Sequence, residues 1–161
     1  MSTRNLFGGL LCLALLGCGS DSPVELTDVT GTYQVSRISG REGPTVIREV
    51  RGDPSCMRSG VNGDLREQLS GGSLRLTAGG DFELEFERTR TCRYSSDETV
   101  TLSTARSTGQ YDVVAGHLVL HPYSTAWSEM TGVAWGSGGI RIETRIPGDL
   151  QSRTYDFVPF P

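Results

Sequence analysis

The sequence predicts an all-β protein, a small antiparallel up-and-down β-barrel of about eight strands, with a two-sheet β-sandwich as the second choice. Short segments alternate apolar and polar residues along most of the chain. Glycine is abundant, at 21 of 161 residues, and no helical periodicity extends beyond a short piece near residues 64–69. Antiparallel sheets of this size close on themselves because closure removes their exposed edges.

Residues 1–18 have the pattern of an export signal. Arg4 is their only charge, and an apolar segment of about 11 residues follows it, too short to span a bilayer but suited to a signal peptide. The segment ends in four residues that resemble the lipobox of bacterial lipoproteins: Leu15, Leu16, Gly17 and Cys18. The resemblance implies cleavage before Cys18, a diacylglyceryl group on its sulfur and an acylated N-terminus such as a palmitate, together a stable membrane anchor.

We therefore expect a signal peptide over residues 1–17, a lipidated Cys18 and tether over residues 18–29, and a single antiparallel β domain over residues 30–161. The alternative is an ordinary secretory signal, which would leave a soluble exported protein. Gly19 follows the cysteine, whereas aspartate at that position retains enteric lipoproteins in the inner membrane. The expected location is the bacterial cell envelope, lipid-anchored, in the outer membrane rather than the inner.

The cysteine count predicts one disulfide bond. Cys12 leaves with the signal and Cys18 is lipidated, so Cys56 and Cys92 remain as a pair in an oxidising compartment. Closing the loop between them would stabilise the fold by roughly 3–4 kcal/mol in the chain-entropy model. The alternative, a two-cysteine metal site, lacks histidines nearby in the sequence. We expect no metal and no cofactor.

The sequence of the first part of the domain predicts two strands and a long loop. Apolar and polar side chains alternate over residues 31–35 and, less regularly, over residues 45–51. Residues 52–72 lack such alternation and contain a proline and an Asn-Gly turn signal. We expect irregular structure there, with one candidate helical turn at residues 64–69, and a disulfide from Cys56 would pin this loop to a later strand.

The strongest pattern is a β-hairpin over residues 73–87. Its second strand alternates Phe82, Leu84 and Phe86 with three glutamates, which gives one apolar and one charged face. The glutamates would stand about 7 Å apart and face water, which is a better interpretation than a calcium site or an acid–base pair. Beyond Phe86 the apolar face continues as Arg88 and Arg90. Three interpretations of this change are open. The strand leaves the core at that point, or a bulge switches its faces. In the third, the arginines point into a cavity and bind an anionic head group.

The sequence of the second half of the domain predicts further hairpins and one loop rich in aromatic residues. Strands are expected over residues 99–105, 109–114, 117–121, 140–146 and 155–157. His117 and His121 would lie on one strand face but about 13 Å apart, too far to share a metal ion. Residues 123–139 are irregular and contain Trp127 and Trp135, which either close the core or line a binding mouth.

The residues also resemble those of bacterial lipocalin-like lipoproteins. Gly31-Thr32-Tyr33 stands where lipocalins have Gly-x-Trp, with tyrosine in place of tryptophan, and the serial hairpins at residues 74–86 and 111–120 match the lipocalin layout. No clear match is found for the arginine that packs on that tryptophan. The resemblance implies a lipocalin-like barrel whose mouth can hold a small apolar ligand.

The sequence features bear on three classes of function. Binding of a small apolar or amphipathic ligand leads, with eight candidate residues: Tyr33, Phe82, Leu84, Phe86, Arg88, Arg90, Trp127 and Trp135. The alternative is a structural or protein-interaction module with a filled barrel and no ligand. An enzyme is not expected, because no nucleophile elbow, zinc-binding helix or phosphate loop is present. The net charge of −4 also argues against nucleic acid. The membrane is the expected partner through Cys18, and a protein partner is not identified.

Overall fold

The computed structural model describes residues 28–161, so the predicted signal peptide, the lipidated Cys18 and most of the tether lie outside the described residues. Within residues 28–161 no helix is long and apolar enough to cross a membrane. The described part contains nine strands: β1 (Gly31–Ile38), β2 (Thr45–Arg58), β3 (Val61–Leu76), β4 (Asp81–Arg93), β5 (Glu98–Val114), β6 (His117–Pro122), β7 (Met130–Trp135), β8 (Gly139–Thr144) and β9 (Arg153–Pro159).

Eight of these strands form a closed antiparallel barrel. Their order is β1-β9-β8-β7-β6-β5-β4-β3, and β1 closes the ring by pairing with the end of β3. In that closing contact Tyr33 lies opposite Leu74, while on its other side Tyr33 lies opposite Pro159 of β9. From β3 onward each strand pairs with the next in sequence. The prediction of an up-and-down barrel of about eight strands is confirmed.

The ninth strand, β2, lies outside the ring. It pairs with the first half of β3, whereas the second half of β3 pairs with β1. Strands β3, β4 and β5 contain 16, 13 and 17 residues, so their other halves extend beyond the barrel together with β2. We call this four-stranded extension the wing; it comprises residues 45–69 and 88–104.

The expectation of irregular structure over residues 52–72 is wrong. Those residues form the end of β2 and most of β3, and residues 64–69 are strand instead of a helical turn. The residues that suggested a loop lie at bulges, because the β2–β3 register shifts at three places and the β3–β4 register shifts before Gly71. At Gly72 a side chain is excluded by close packing: a Cβ there would lie 2.5 Å from the Glu85 carbonyl oxygen.

The barrel interior is packed with apolar side chains. Alternation along the strands places every second residue inside, and Leu74, Leu84 and Phe86 from the predicted hairpin have no exposed surface. The core begins at Val29, before β1. Its other buried members are Tyr33, Ile38, Ile47, Leu69, Leu76, Phe82, Leu118, Leu120, Trp127, Met130, Ile140, Ile142, Ile146, Tyr155 and Phe157.

Candidate functional site

Four of the eight candidate ligand-binding residues lie inside the barrel. Tyr33, Phe82, Leu84 and Phe86 are all members of the single core cluster, and none is more than 6% exposed. The Tyr33 hydroxyl donates a 2.9 Å hydrogen bond to the carbonyl oxygen of Val29, so its one polar side-chain atom is satisfied. Burial raises the pKa of Tyr33. Alternation places these side chains where the sequence predicts them, against one another in the core.

Trp127 packs into the barrel. Its ring stacks on Phe86 with centroids 6.3 Å apart, and only 7% of the residue is exposed. The ring centroid of Phe86 also lies 4.5 Å from that of Tyr155 and 6.3 Å from that of Phe157. One aromatic cluster therefore fills the barrel at the end that continues into the wing. Two roles were expected for the tryptophans of residues 123–139, closing the core or lining a binding mouth. Trp127 has the first of these roles.

Trp135 lies elsewhere, on the outer face of β7. The guanidinium carbons of Arg37 and Arg141 lie 5.9 Å and 5.5 Å from its ring centroid, within the range of cation–π contacts. Arg141 also donates hydrogen bonds of 2.6 Å and 3.1 Å to the carboxylate of the buried Asp156. The two tryptophans therefore do not share one mouth, because one lies inside the barrel and the other outside.

Arg88 and Arg90 continue the inner face of β4 into the wing. Strands β4 and β5 pair without a register shift from Asp81 to Arg93, so the proposed bulge is absent from this ladder. Arg88 donates a 2.8 Å hydrogen bond to the Pro147 carbonyl oxygen. Arg90 donates to the carbonyl and hydroxyl oxygens of Ser55 at 3.0 Å and 2.6 Å. Both guanidinium groups thus attach other segments of the chain to β4.

Further ion pairs surround these two arginines. Arg48 contacts Asp53 at 2.8 Å across a bulged part of β2, and hydrogen bonds from Ser55 lower the pKa of Asp53. Arg153 contacts Asp149 at 2.7 Å, and the carboxylate of that pair has no exposed side-chain surface. The inner side of the wing consequently carries a polar cluster beside the buried Leu65 and Cys56, where the barrel has an apolar core.

Several buried polar atoms in this region have no hydrogen-bond partner within residues 28–161. They include the Nε atoms of Arg88 and Arg90 and the hydroxyl of Tyr155. Burial raises the pKa of Tyr155, and the nearby Asp149 carboxylate adds to that effect, whereas Arg153 and Arg88 oppose it. Sequence reasoning missed this cluster because its members come from β2, β4, β9 and the segment before β9.

The predicted disulfide bond is present. Cys56 of β2 and Cys92 of β4 are joined, with their Cα atoms 5.4 Å apart, and each strand is a neighbour of β3. Cys92 lies opposite Leu65 of β3, and Cys56 lies where the β2–β3 register shifts between Asp53 and Met57, so the bulged part of β2 approaches β4 on the inner side of the wing. The disulfide prediction is confirmed, and the bond connects strands of one sheet, not a loop to a strand.

The histidines lie on the outer face of β6. His121 Nδ1 is 3.0 Å from Glu129, and its Nε2 is 3.4 Å from Asp112. Within residues 28–161 no three histidine, cysteine, aspartate or glutamate side chains are grouped so that they could hold a metal ion. His121 and these two carboxylates form an exposed polar group on the outer surface.

Three of the cavities in the described part open to solvent on its surface. One of about 550 Å³ lies at the tip of the wing, between the β2–β3 and β4–β5 turns, beside Arg58 and Tyr94. Another of about 260 Å³ lies beside Tyr123. The third, of about 530 Å³, lies along β6, β7 and β8 beside His117. Polar and charged side chains form much of the lining of each, so none is a closed apolar chamber.

On the outer face of the wing, strand β5 exposes two large apolar side chains that are not among the eight candidate residues. Val100 is 54% exposed and Leu102 is 77% exposed, and both lie on β5. They occur in a segment that alternates like a half-buried strand, but the inner positions there are threonine and serine. The sequence carries no signal of this inversion, because alternation does not show which of the two sets of side chains points inward.

Comparisons of the chain with known protein families, curated proteins and solved structures find no match.

Proposed function

We propose that this chain is a lipid-anchored protein of the bacterial cell envelope whose filled barrel serves as a structural or protein-interaction module. The observation that carries the proposal is the packing of the interior. Side chains from all eight barrel strands meet there, and the aromatic cluster around Phe86 occupies the end next to the wing. Eight-stranded barrels have interiors just wide enough for side chains to fill.

Exposed apolar side chains on the outside also support an interaction role. A filled barrel that acts through contacts needs recognisable outer surfaces, and exposed apolar groups outside the core mark such surfaces. Val100 and Leu102 supply one such group on the wing. The lipobox-like residues that end in Cys18 support the membrane anchor.

A ligand carrier is the competing proposal. The unpartnered Nε atoms of Arg88 and Arg90 favour it, because a buried guanidinium nitrogen without a partner could bind a carboxylate or phosphate. Both side chains already donate to oxygens of the chain through their terminal nitrogens, so a ligand would have to share or displace those contacts.

Native mass spectrometry distinguishes the two roles. Residues 19–161, secreted into a bacterial periplasm and purified without detergent, are expected to show the mass of the bare chain with one disulfide bond. Added fatty acid or phospholipid is expected to leave that mass unchanged. A retained lipid that is lost on denaturation would overturn the filled-barrel proposal and establish the carrier.

The anchor is tested on the full chain by metabolic labelling with an alkyne fatty acid. Label is expected on the wild-type protein and on the Cys12→Ala variant, and none on the Cys18→Ala variant. Cys12→Ala is the matched control because it removes a cysteine from the same predicted signal. Equal labelling of all three proteins, or of none, would contradict lipidation at Cys18.

A further inference from the structure

The first half of β5 is an open sheet edge. Residues 98–107 pair with β4 on one side, but pairing with β6 begins only at Gly109. The Thr108 carbonyl oxygen accepts a hydrogen bond from the Tyr123 amide, which marks where the edge becomes covered. Within residues 28–161 no strand pairs with the other side of residues 98–107. Their outward backbone groups are available to another strand.

This edge lacks the features with which sheet proteins normally prevent pairing. Residues 99–105 contain no charged side chain, no proline and no glycine. The ladder with β4 runs through them without a bulge. Native proteins usually interrupt such edges with charges, prolines or bulges. A regular, uncharged edge with Leu102 and Val100 exposed beside it is suited to receiving a strand.

The opposite edge of the wing is built differently. Strand β2 contains Pro54, and its register against β3 shifts at three places. Arg153, the first residue of β9, also donates a hydrogen bond to the Ile47 carbonyl oxygen in β2. One edge of the wing is therefore irregular and partly occupied, while the other is regular.

The charges that flank the β5 edge are complementary to themselves. In an antiparallel pair of two β5 strands centred on Leu102, Glu98 of one copy lies opposite Arg106 of the other, because each is four residues from the centre. Residues directly opposite in an antiparallel pair share one face. Leu102 then meets its own copy on that face, and the Glu98–Arg106 contact occurs twice.

The neighbouring strand extends this charge pattern. Within one chain Arg93 of β4 lies opposite Glu98, and Glu85 of β4 lies opposite Arg106. In the paired arrangement these residues form a row across four strands: Arg93, Glu98, then the second copy's Arg106 and Glu85. Positive and negative charges alternate along the row, so each added neighbour is of opposite sign.

We propose that the β5 edge binds a second copy of this chain, antiparallel and centred on Leu102, so that two wings join into one continuous sheet. The inference rests on the proposed function, for which it names the partner as the protein itself. The dimer proposal can be wrong while the proposed function is right, since a monomeric protein with a filled barrel would still be consistent with an interaction role. A lipid-loaded barrel would instead overturn that role without deciding the dimer.

Disulfide crosslinking of the full chain in bacterial membranes tests the arrangement. Leu102→Cys places a thiol on the symmetry axis, so mild oxidation is expected to give a covalent dimer on a non-reducing gel. Leu150→Cys is the matched control, because Leu150 is 81% exposed and lies far along the chain from β5. A dimer that forms at least tenfold faster for Leu102→Cys supports the proposal. Equal rates, or a crosslink only to a different chain or within one chain, would overturn it.

Charge reversal tests the register. Glu98→Arg and Arg106→Glu each place like charges opposite each other twice, and each is expected to raise the dissociation constant about tenfold in sedimentation experiments. A mixture of the two variants restores both opposite-charge contacts and is expected to form a heterodimer of wild-type affinity. Unchanged circular dichroism is the control for folding. Failure of the mixture to recover affinity, or a wild-type protein that stays monomeric, would overturn the proposed dimer.

Discussion

The barrel and the wing share three long strands, β3, β4 and β5, but the two regions are held together by different interactions. In the barrel half of β3 and β4 the inner positions are apolar, such as Leu74 and Phe86. In the wing half they include Glu67 and Arg90, which lie opposite each other. The barrel closes on itself, whereas the wing is an open sheet with edges at β2 and β5. A single long strand can therefore serve two environments when its inner residues change along its length.

The difference shows what each region requires for stability. The barrel buries a continuous apolar core, which is the dominant favourable term in folding. The wing buries few apolar side chains and relies on the Cys56–Cys92 bond and on hydrogen bonds from Arg88 and Arg90. We infer that the barrel supplies the global stability, and that the wing presents the surface on which contacts are made.

The largest expected effect comes from opening the aromatic cluster. Phe86→Ala removes the ring that contacts Trp127, Tyr155 and Phe157, and should lower the free energy of unfolding by about 3–5 kcal/mol. Urea denaturation followed by tryptophan fluorescence measures this change. A loss below about 1 kcal/mol would mean that the barrel end is loosely packed, contrary to the comparison.

Removal of the disulfide bond should act mainly on the wing. The two cysteines are 36 residues apart, so the Cys56→Ser/Cys92→Ser variant is expected to lose roughly 3–4 kcal/mol in the chain-entropy model. Limited proteolysis should then cut first within residues 45–60, with the barrel strands intact. First cuts in β8 or β9 would contradict the division between the two regions.

The sequence predicts the barrel better than the wing for a physical reason. In the hairpin of Leu74, Leu84 and Phe86, alternation is caused by burial on one side, and burial is what the pattern records. The inner face of the wing carries a weaker signal, because the polar Glu67 and Arg90 point inward beside the buried Leu65 and Leu69. The bulges in β2 further break the alternation, so this strand resembled a loop.

The candidate site was predictable only in part for a related reason. The disulfide follows from the cysteine count, and the inner positions of β4 follow from its period of two. The contact of Arg88 with Pro147 joins segments far apart in the chain, and nothing local in the sequence encodes it. The opposite positions of Trp127 and Trp135 arise because residues 130–135, which were expected to be irregular, form strand β7 with Trp135 on its outer face, whereas Trp127 lies in the segment between β6 and β7.

A smaller effect is expected at the buried tyrosine. Tyr155→Phe removes a hydroxyl that is buried without a partner within residues 28–161, so at pH 7 stability should stay constant or rise by about 1 kcal/mol. Burial raises the pKa of Tyr155 above its usual value of 10.0, so the folded state keeps the proton that the unfolded state loses. Wild-type stability should therefore fall above about pH 10.

The same variant tests this pH dependence. Tyr155→Phe should show a shallower loss of stability between about pH 10 and 11.5, when chemical denaturation is repeated at each pH. Tyr33 and Tyr111, whose pKa values are also raised by burial, account for the slope that remains. Identical slopes for the two proteins would show that the Tyr155 hydroxyl is not buried.

The smallest effect on stability is expected at the exposed edge. Leu102→Ser changes a side chain on the outer face of the wing and should alter the free energy of unfolding by no more than about 0.5 kcal/mol at low protein concentration. The same change should weaken self-association in sedimentation experiments. A stability loss of several kcal/mol would place Leu102 in a packed contact within the monomer.

Hydrogen exchange at two protein concentrations tests the contrast between barrel and wing most directly. The account predicts strong, concentration-independent protection of the amides of β8 and β9. Protection of residues 98–106 should instead be weak in dilute protein and rise in concentrated protein, as the free edge pairs with a second copy. Protection of residues 98–106 that does not depend on concentration, or barrel amides that exchange as fast as those of the wing, would contradict the account.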